Sequence, residues 1–198
     1  RNLTMFNMEI EKYKKLNSIA ESFGTVILGS GEDILIPISE LANSFNIGSK
    51  FYNRSSQNLI ITEAIHYYDS IVKPLNPERI ILHIGSADID FFRDNTPQFD
   101  RAYQSLIEHI REDNAKCNIG IISLCNPNDN DIISELNNHL RIIAQSQRCE
   151  FEDIGTPRVW NPIETKSTIS FASSMGLSLK TSNQKSLYDL AKIFFAYN

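Results

Sequence analysis

Ser30 lies in the stretch VILGSGEDIL, where an apolar run closes on Gly-Ser-Gly and a helical pattern begins. A serine at such a strand-to-helix turn is well placed to be a nucleophile, and the chemistry would be acyl transfer. Its hydroxyl is weak near neutral pH unless a base lies within hydrogen-bond reach and a third group fixes the base's tautomer. The chain has four histidines, His66, His83, His109 and His139. His83, two residues before Gly85, is the one near the predicted site edge and is the candidate base. Plainer uses compete with these. A Gly-Ser-Gly turn suits a tight bend, and Ser30 can cap the helix after it, whose first turn Glu32 and Asp33 favour electrostatically. Strand alternation can also turn His83 into a helix-covered face as a hydrogen-bonded core residue.

Other polar groups offer binding rather than bond-breaking. Asn53 and Arg54, in YNRSSQN, present an amide and a guanidinium to a substrate or an anion, or bridge loops at the sheet rim. Asp88 and Asp90 are two carboxylates in a turn, which is a weak metal pattern. Asp88 is expected to accept backbone N–H groups of its own turn. Trp160, in PRVWNP, suits stacking on a sugar or an acyl group, or covering the core edge. Cys117, Cys125 and Cys149 form an odd set without metal-ligand spacing and read as small buried apolar residues. No Gly-x-Gly-x-x-Gly or phosphate-loop pattern is present, so neither a cofactor nor a metal is expected.

These residues need a scaffold, and the periodicity supplies one. TVIL, SKFYNR, ERIILHIG, KCNIGIISL and CEFEDI read as five short strands, the apolar runs being what a buried parallel sheet requires. Between them lie helical patterns: Ile34, Ile38, Leu41 and Phe45; then LIITEAIHYYDSIVK, stopped by Pro74; then residues 97–114; then 129–147. Residues 155–182 look irregular, and SLYDLAKIFFAY closes the chain as a helix. Phe6, Ile10, Tyr13, Leu16 and Ala20 recur at helical spacing before the first strand. Alternating strands and helices predict an α/β protein, a three-layer α/β/α arrangement with a five-stranded parallel sheet of flavodoxin-like order 2-1-3-4-5. In such a sheet ligands bind beyond the carboxyl ends of the strands, beside the switch point. Residues 29–32, 53–58, 85–90 and 155–182 are therefore the candidate rim.

The 198 residues suit one such domain, 24–198, with an N-terminal helical extension over 1–23. Charged residues make up 22% and the net charge is −5, without a Lys/Arg block, so nucleic acid is not an expected partner. No apolar stretch approaches the roughly 18–20 residues of a membrane span. With no signal-peptide pattern, the cytoplasm is the favoured compartment.

In order and spacing, the blocks LGSGED, YNRSSQN, HIGSADID and SMGLSLKTSNQKSLYDLA resemble those of the SGNH (GDSL-type) hydrolases, a family of esterases, lipases and carbohydrate acyl-ester hydrolases. The resemblance spans roughly residues 24–196. It implies the same fold, with a site built from these blocks. Aligned on Gly29, Ser30 takes the family's aspartate position and Gly31 its serine position. Asn53, Arg54, Gly85 and Asp88 match, whereas Asn58 replaces the oxyanion glycine and Ala87 the oxyanion asparagine. Met175 and Ser178 stand at the last aspartate and histidine positions. One lost oxyanion donor typically costs about a hundred- to a thousandfold in rate, and no histidine follows residue 139. The resemblance thus implies a degenerate catalytic set in a ligand- or partner-binding domain, whose ligand is a carbohydrate or acyl ester and whose partner is a protein or an upstream domain. Contacts are expected at Gly31, Asn53, Arg54, Asn58, Gly85, Asp88, Trp160 and Ser178. The alternative is an active serine esterase or acyltransferase with a rearranged site, Ser30 as nucleophile and His83 as base. A flavodoxin-like binding domain unrelated to these hydrolases is a third reading. Convergence of loops 53–58 and 85–88 on the Ser30 turn is expected under both hydrolase-derived readings.

Overall fold

The structure, a computed structural model of the chain, describes residues 3–39, 50–126 and 130–154. The five apolar runs form strands β1 (Thr25–Gly29), β2 (Phe51–Asn53), β3 (Arg79–His83), β4 (Asn118–Ile122) and β5 (Glu150–Glu152). They pair in parallel in the order β2-β1-β3-β4-β5, as expected from the crossover rules. Register places Gly29 of β1 beside His83 of β3.

Side chains alternate across the sheet. Val26, Leu28, Ile80, Leu82, Ile119 and Ile121 enter one contiguous core. Ile27, Ile81 and Ile122 point the other way and are buried as well. The sheet is therefore dry on both faces, which is why its strands read as unbroken apolar runs.

Four helical elements build the first face. Helix α1 (Leu3–Asn17) sends Ile10 and Tyr13 into the core. A second stretch runs from Ile61 to Leu75, with helix α2 (Ala64–Tyr67) inside it. Its turns change from 3₁₀ to α to π and back to 3₁₀, rather than forming the single regular helix expected. Pro74 falls in its last turn, where a missing N–H disrupts the ladder, and Asn76 ends it in the left-handed region at φ 43°. Helix α3 (Ile89–Asp113) begins eight residues earlier than the predicted start at 97. Pro97 reads as a helix start, yet the chain arrives there already helical and kinks at Asn95 (φ −145°, ψ 49°). Phe92 and Phe99 meet edge to face across the kink, 5.2 Å between centroids.

Helix α4 (Asp131–Ser146) is capped by Asn130, whose side chain accepts the Ile132 N–H. Buried Asn137 on α4 bonds both the N–H and the C=O of Leu124, just past β4. After β1 comes a short 3₁₀ turn (Gly31–Leu35), and the helical pattern expected to run on through Phe45 is interrupted at Ile36 and Pro37 before residues 38–39 turn helical again. Residues 40–49, the irregular segment 155–182 and the predicted last helix lie outside the described residues. Among the described residues no helix is long and apolar enough to cross a membrane.

Candidate functional site

Three loops converge at the carboxyl end of the sheet. The first is the turn after β1. Gly29 is required by close approach, because a Cβ there would collide with the carboxylate of Asp33. Ser30 follows in extended conformation, buried, with its N–H donated to the carbonyl of His83 at 3.2 Å. Gly31 sits at φ +66°, which a residue with a Cβ rarely adopts, and its N–H goes to the carbonyl of Gln57 at 3.0 Å. The 3₁₀ turn then carries Asp33 back over the strand end. There its Oδ2 lies 2.7 Å from Nδ1 of His83, both side chains buried.

The second loop, residues 53–58, lies alongside the first. Ser56 forms an isolated parallel bridge with Ser30, and Ser55 Oγ accepts the N–H of Gly29 at 3.0 Å. Asn53 ties the loops together, donating to the carbonyl of Asp33 at 2.7 Å and accepting from the N–H of Ser55 at 2.9 Å. Arg54 is buried away from the turn. Its Nε donates to Asn17 of α1 at 2.9 Å, and its guanidinium lies 5.3 Å from the ring centroids of both Tyr13 and Tyr52. That burial lowers its pKa. The Tyr13 hydroxyl donates to the carbonyl of Ser55 at 2.7 Å, and Ser56 Oγ donates to the Glu9 carboxylate. Helix α1 thus braces this loop from below, while Gln57 and Asn58 are exposed.

The third loop follows β3. Gly85 (φ +140°) opens it and Asp88 closes it, with the Asp88 N–H donated to the carbonyl of Gly85 at 2.9 Å. The Asp88 carboxylate does not cap α3 and does not serve its own turn, as had been expected. It reaches across to accept the N–H of Ile61, at 3.0 and 3.2 Å from its two oxygens. Burial pushes its pKa up to about 6, with the Ile61 bond pulling the other way. Ser86 and Ala87 between them are exposed.

Ser86 is the residue that sequence reasoning missed. Its Oγ lies 2.8 Å from Ser30 Oγ and 3.2 Å from where a Cβ on Gly31 would stand. A hydroxyl from the third loop therefore occupies the neighbourhood in which the resembled family carries its serine side chain. Neither this placement nor the Asp33–His83 pair has a local signal, because each joins residues 50 or more positions apart.

The geometry brings Ser30, Gly31, Asn53, Gly85 and Asp88 into one rim and puts Asn58 at its exposed edge. His83 lies on the sheet face that Gly29 shares, bonded to Asp33. Ser30 Oγ does not cap the helical turn after it. Trp160 and Ser178 lie outside the described residues. The three cysteines are free thiols. Cys117 is buried, and burial pushes its thiol up to about 12 and that of Cys149 to about 11. Among the described residues no group of three or more His, Cys, Asp or Glu side chains is arranged to hold a metal.

This five-stranded parallel sheet, with three loops converging after β1, β2 and β3, has the fold seen in solved SGNH/GDSL-type hydrolases. Several solved structures share it. A Streptococcus pneumonia protein assigned as a platelet activating factor matches with TM-score 0.67 at 17% identity, over 94% of this chain and 90% of that one. A GDSL-like lipase from Bacteroides thetaiotaomicron matches with TM-score 0.58 at 14% identity, over 93% and 94%. The acetyl xylan esterase AlAXEase matches with TM-score 0.57 at 12% identity, over 88% and 100%. No protein-family model matches the sequence, and no curated protein matches it.

Proposed function

We propose that this SGNH/GDSL-fold chain is a binding domain that holds a carbohydrate ligand at the carboxyl end of its sheet without cleaving esters. The observation that carries this reading is the bond of the buried Ser30 hydroxyl to another hydroxyl, that of Ser86, rather than to an imidazole. A hydroxyl paired with a neutral hydroxyl has no base there to take the proton it must lose. The Gly31 N–H is likewise engaged by Gln57, so it does not face a developing oxyanion. Within the second and third loops the exposed side chains of Ser86, Gln57 and Asn58 are neutral, with the exposed carboxylates of Glu32 and Asp90 at the margins of the rim. Such neutral groups match the hydroxyls of a saccharide in charge and in hydrogen-bonding capacity. Two structural neighbours, AlAXEase and an acetyl-xylooligosaccharide esterase, are by name enzymes of acetylated xylan or xylo-oligosaccharides.

The test is the purified chain with nitrophenyl acetate and acetylated xylo-oligosaccharides, beside calorimetry with xylo-oligosaccharides. The expected result is turnover at background and saccharide binding that Ser86→Ala weakens. Ester turnover well above background that vanishes in Ser30→Ala overturns the reading.

One observation favours the second reading, an active esterase with a rearranged site. Asp33 orients the His83 imidazole at 2.7 Å, as a carboxylate does for a catalytic base. On that reading Ser30→Ala and His83→Asn each abolish turnover, and Asp33→Asn lowers kcat more than it changes KM.

A further inference from the structure

The opposite edge of the sheet, at the amino ends of β1, β3 and β4, holds a cavity of about 600 Å³. Its walls include Phe23, Asn76, Glu78, Arg79, Lys116 and Asn118. It shares no residue with the Ser30 rim, and nothing in the function proposed above uses it.

Its charge runs against that of the chain. The whole sequence carries −5, yet two cations and one carboxylate line this cavity. Arg79 is only 21% exposed at its side chain and meets Glu78 through one nitrogen, NH1, at 3.2 Å. A guanidinium has five N–H donors in a fixed fork, so among the described residues most of its donating capacity is unassigned. Lys116 has no ion-pair partner among the described residues. Glu78, 54% exposed, is the weaker-held half of its pair and is displaceable by another anion.

The backbone around the cavity is held in an uncommon conformation at two places. Phe23 has φ +66° and Asn76 φ +43°, both in the left-handed region that favours glycine. The N–H of Phe23 is pinned by the carbonyls of Leu75 and Asn76, each at 3.3 Å. That pinning leaves a phenyl ring 61% exposed at the rim. Asn76 receives a bond from Asn114 on its side-chain oxygen at 3.3 Å, which leaves its own NH₂ as a donor. An apolar ring, an amide and a partly buried guanidinium beside an ammonium with no ion-pair partner among the described residues make a composite of three chemistries: apolar, amide and cationic.

We propose that this cavity binds a hydroxylated organic anion, a sugar acid or a sugar phosphate. The anionic group sits on Arg79 and Lys116 in place of Glu78, a hydroxyl meets Asn76, and the apolar face of the ring lies on Phe23. The test is a titration of the isotope-labelled full chain, followed by amide NMR, with glucuronate, glucose 6-phosphate and glucose. At least one anion gives saturable shifts at Phe23, residues 76–79 and Lys116. Saturation by glucuronate identifies the carboxylate as the anchor, and saturation by glucose 6-phosphate the phosphate. Glucose binds at least about tenfold more weakly than that anion, as loss of a charge-assisted bond requires. Arg79→Gln weakens binding by about tenfold or more. Glu78→Gln tightens it, because the competing carboxylate is gone, and a gain in affinity is not what misfolding produces. The proposal is overturned if neither anion saturates these amides, if glucose binds equally well, or if Glu78→Gln leaves affinity unchanged. It is also overturned if the shifts gather only around Ser30 and Ser86, and none of these results bears on the rim's lack of ester turnover.

Discussion

At Asp88 a carboxylate is buried with the Ile61 N–H as its bond, and the balance has a direction in pH. Its pKa in the folded chain is about 6, against 3.8 for the exposed group, so the folded state holds this proton more tightly. As pH rises through that window the unfolded chain releases its proton first, and stability falls. The cost is complete above pH 6 and is on the order of 3 kcal/mol at about 1.4 kcal/mol per pH unit. Asp88→Asn keeps an acceptor for Ile61 and has no such titration. The stability of the natural chain relative to this variant should therefore decline between about pH 4 and pH 6, measured by urea unfolding, whereas a flat difference excludes the effect. The sequence marks Asp88 as an acceptor for its own turn and misses both its burial and its actual partner, since Ile61 lies 27 positions earlier. Asp33 and Ser86 escape for the same reason. Their significance comes from crossovers that bring strand ends together, and a lone Asp in a GEDIL turn or a lone Ser after a glycine carries no mark of it.

Among the elements, the strands were the most legible. Buried on both faces, they appear as short apolar runs ended by Gly29 and Gly85 or by polar residues, and the alternation with helices gives their order. Helix boundaries were less so: Pro74 does mark the end of its stretch, one residue before Leu75, but Pro97 mimics a start in a segment that is helical on both sides of it. Helix α1 was legible as amphipathic, but not as the brace of the 53–58 loop. Arg54 is the keystone of that brace, joining Asn17, the carbonyl of Asn53 and two tyrosine rings. Arg54→Ala should destabilise the chain by about 2 kcal/mol, from one or two hydrogen bonds and two ring contacts. Arg54→Lys should recover little of it, since an ammonium cannot present the planar fork to both rings. Urea midpoints of the two variants check this. On the other side of the sheet order, Asn137→Ala leaves both polar groups of Leu124 without their bonds. It should cost about 2–3 kcal/mol in the same measurement.

The molecule as a whole presents two polar ends of different electrical character on one apolar slab. Among the described residues the carboxyl end carries exposed hydroxyls and amides flanked by Glu32 and Asp90, the amino end a cavity lined by two cations and one carboxylate in an acidic chain. Raising salt from about 0.05 to 0.5 M shrinks the screening length to a few ångströms. It should weaken anion binding near Arg79 several-fold and leave saccharide binding near Ser86 unchanged, which calorimetry at the two salt levels resolves. The sequence foretold the first end, because the topology directs attention to strand carboxyl termini. It was silent on the second, where residues from three separate connections meet. The α1 brace has one further consequence. Glu9, Tyr13 and Asn17 reach the rim loop directly or through Arg54, so fraying, a proteolytic nick or a bulky fusion near the helix start will be transmitted to residues 53–58 some forty positions downstream. Helix α1 and the 53–58 loop are therefore expected to lose hydrogen-exchange protection together.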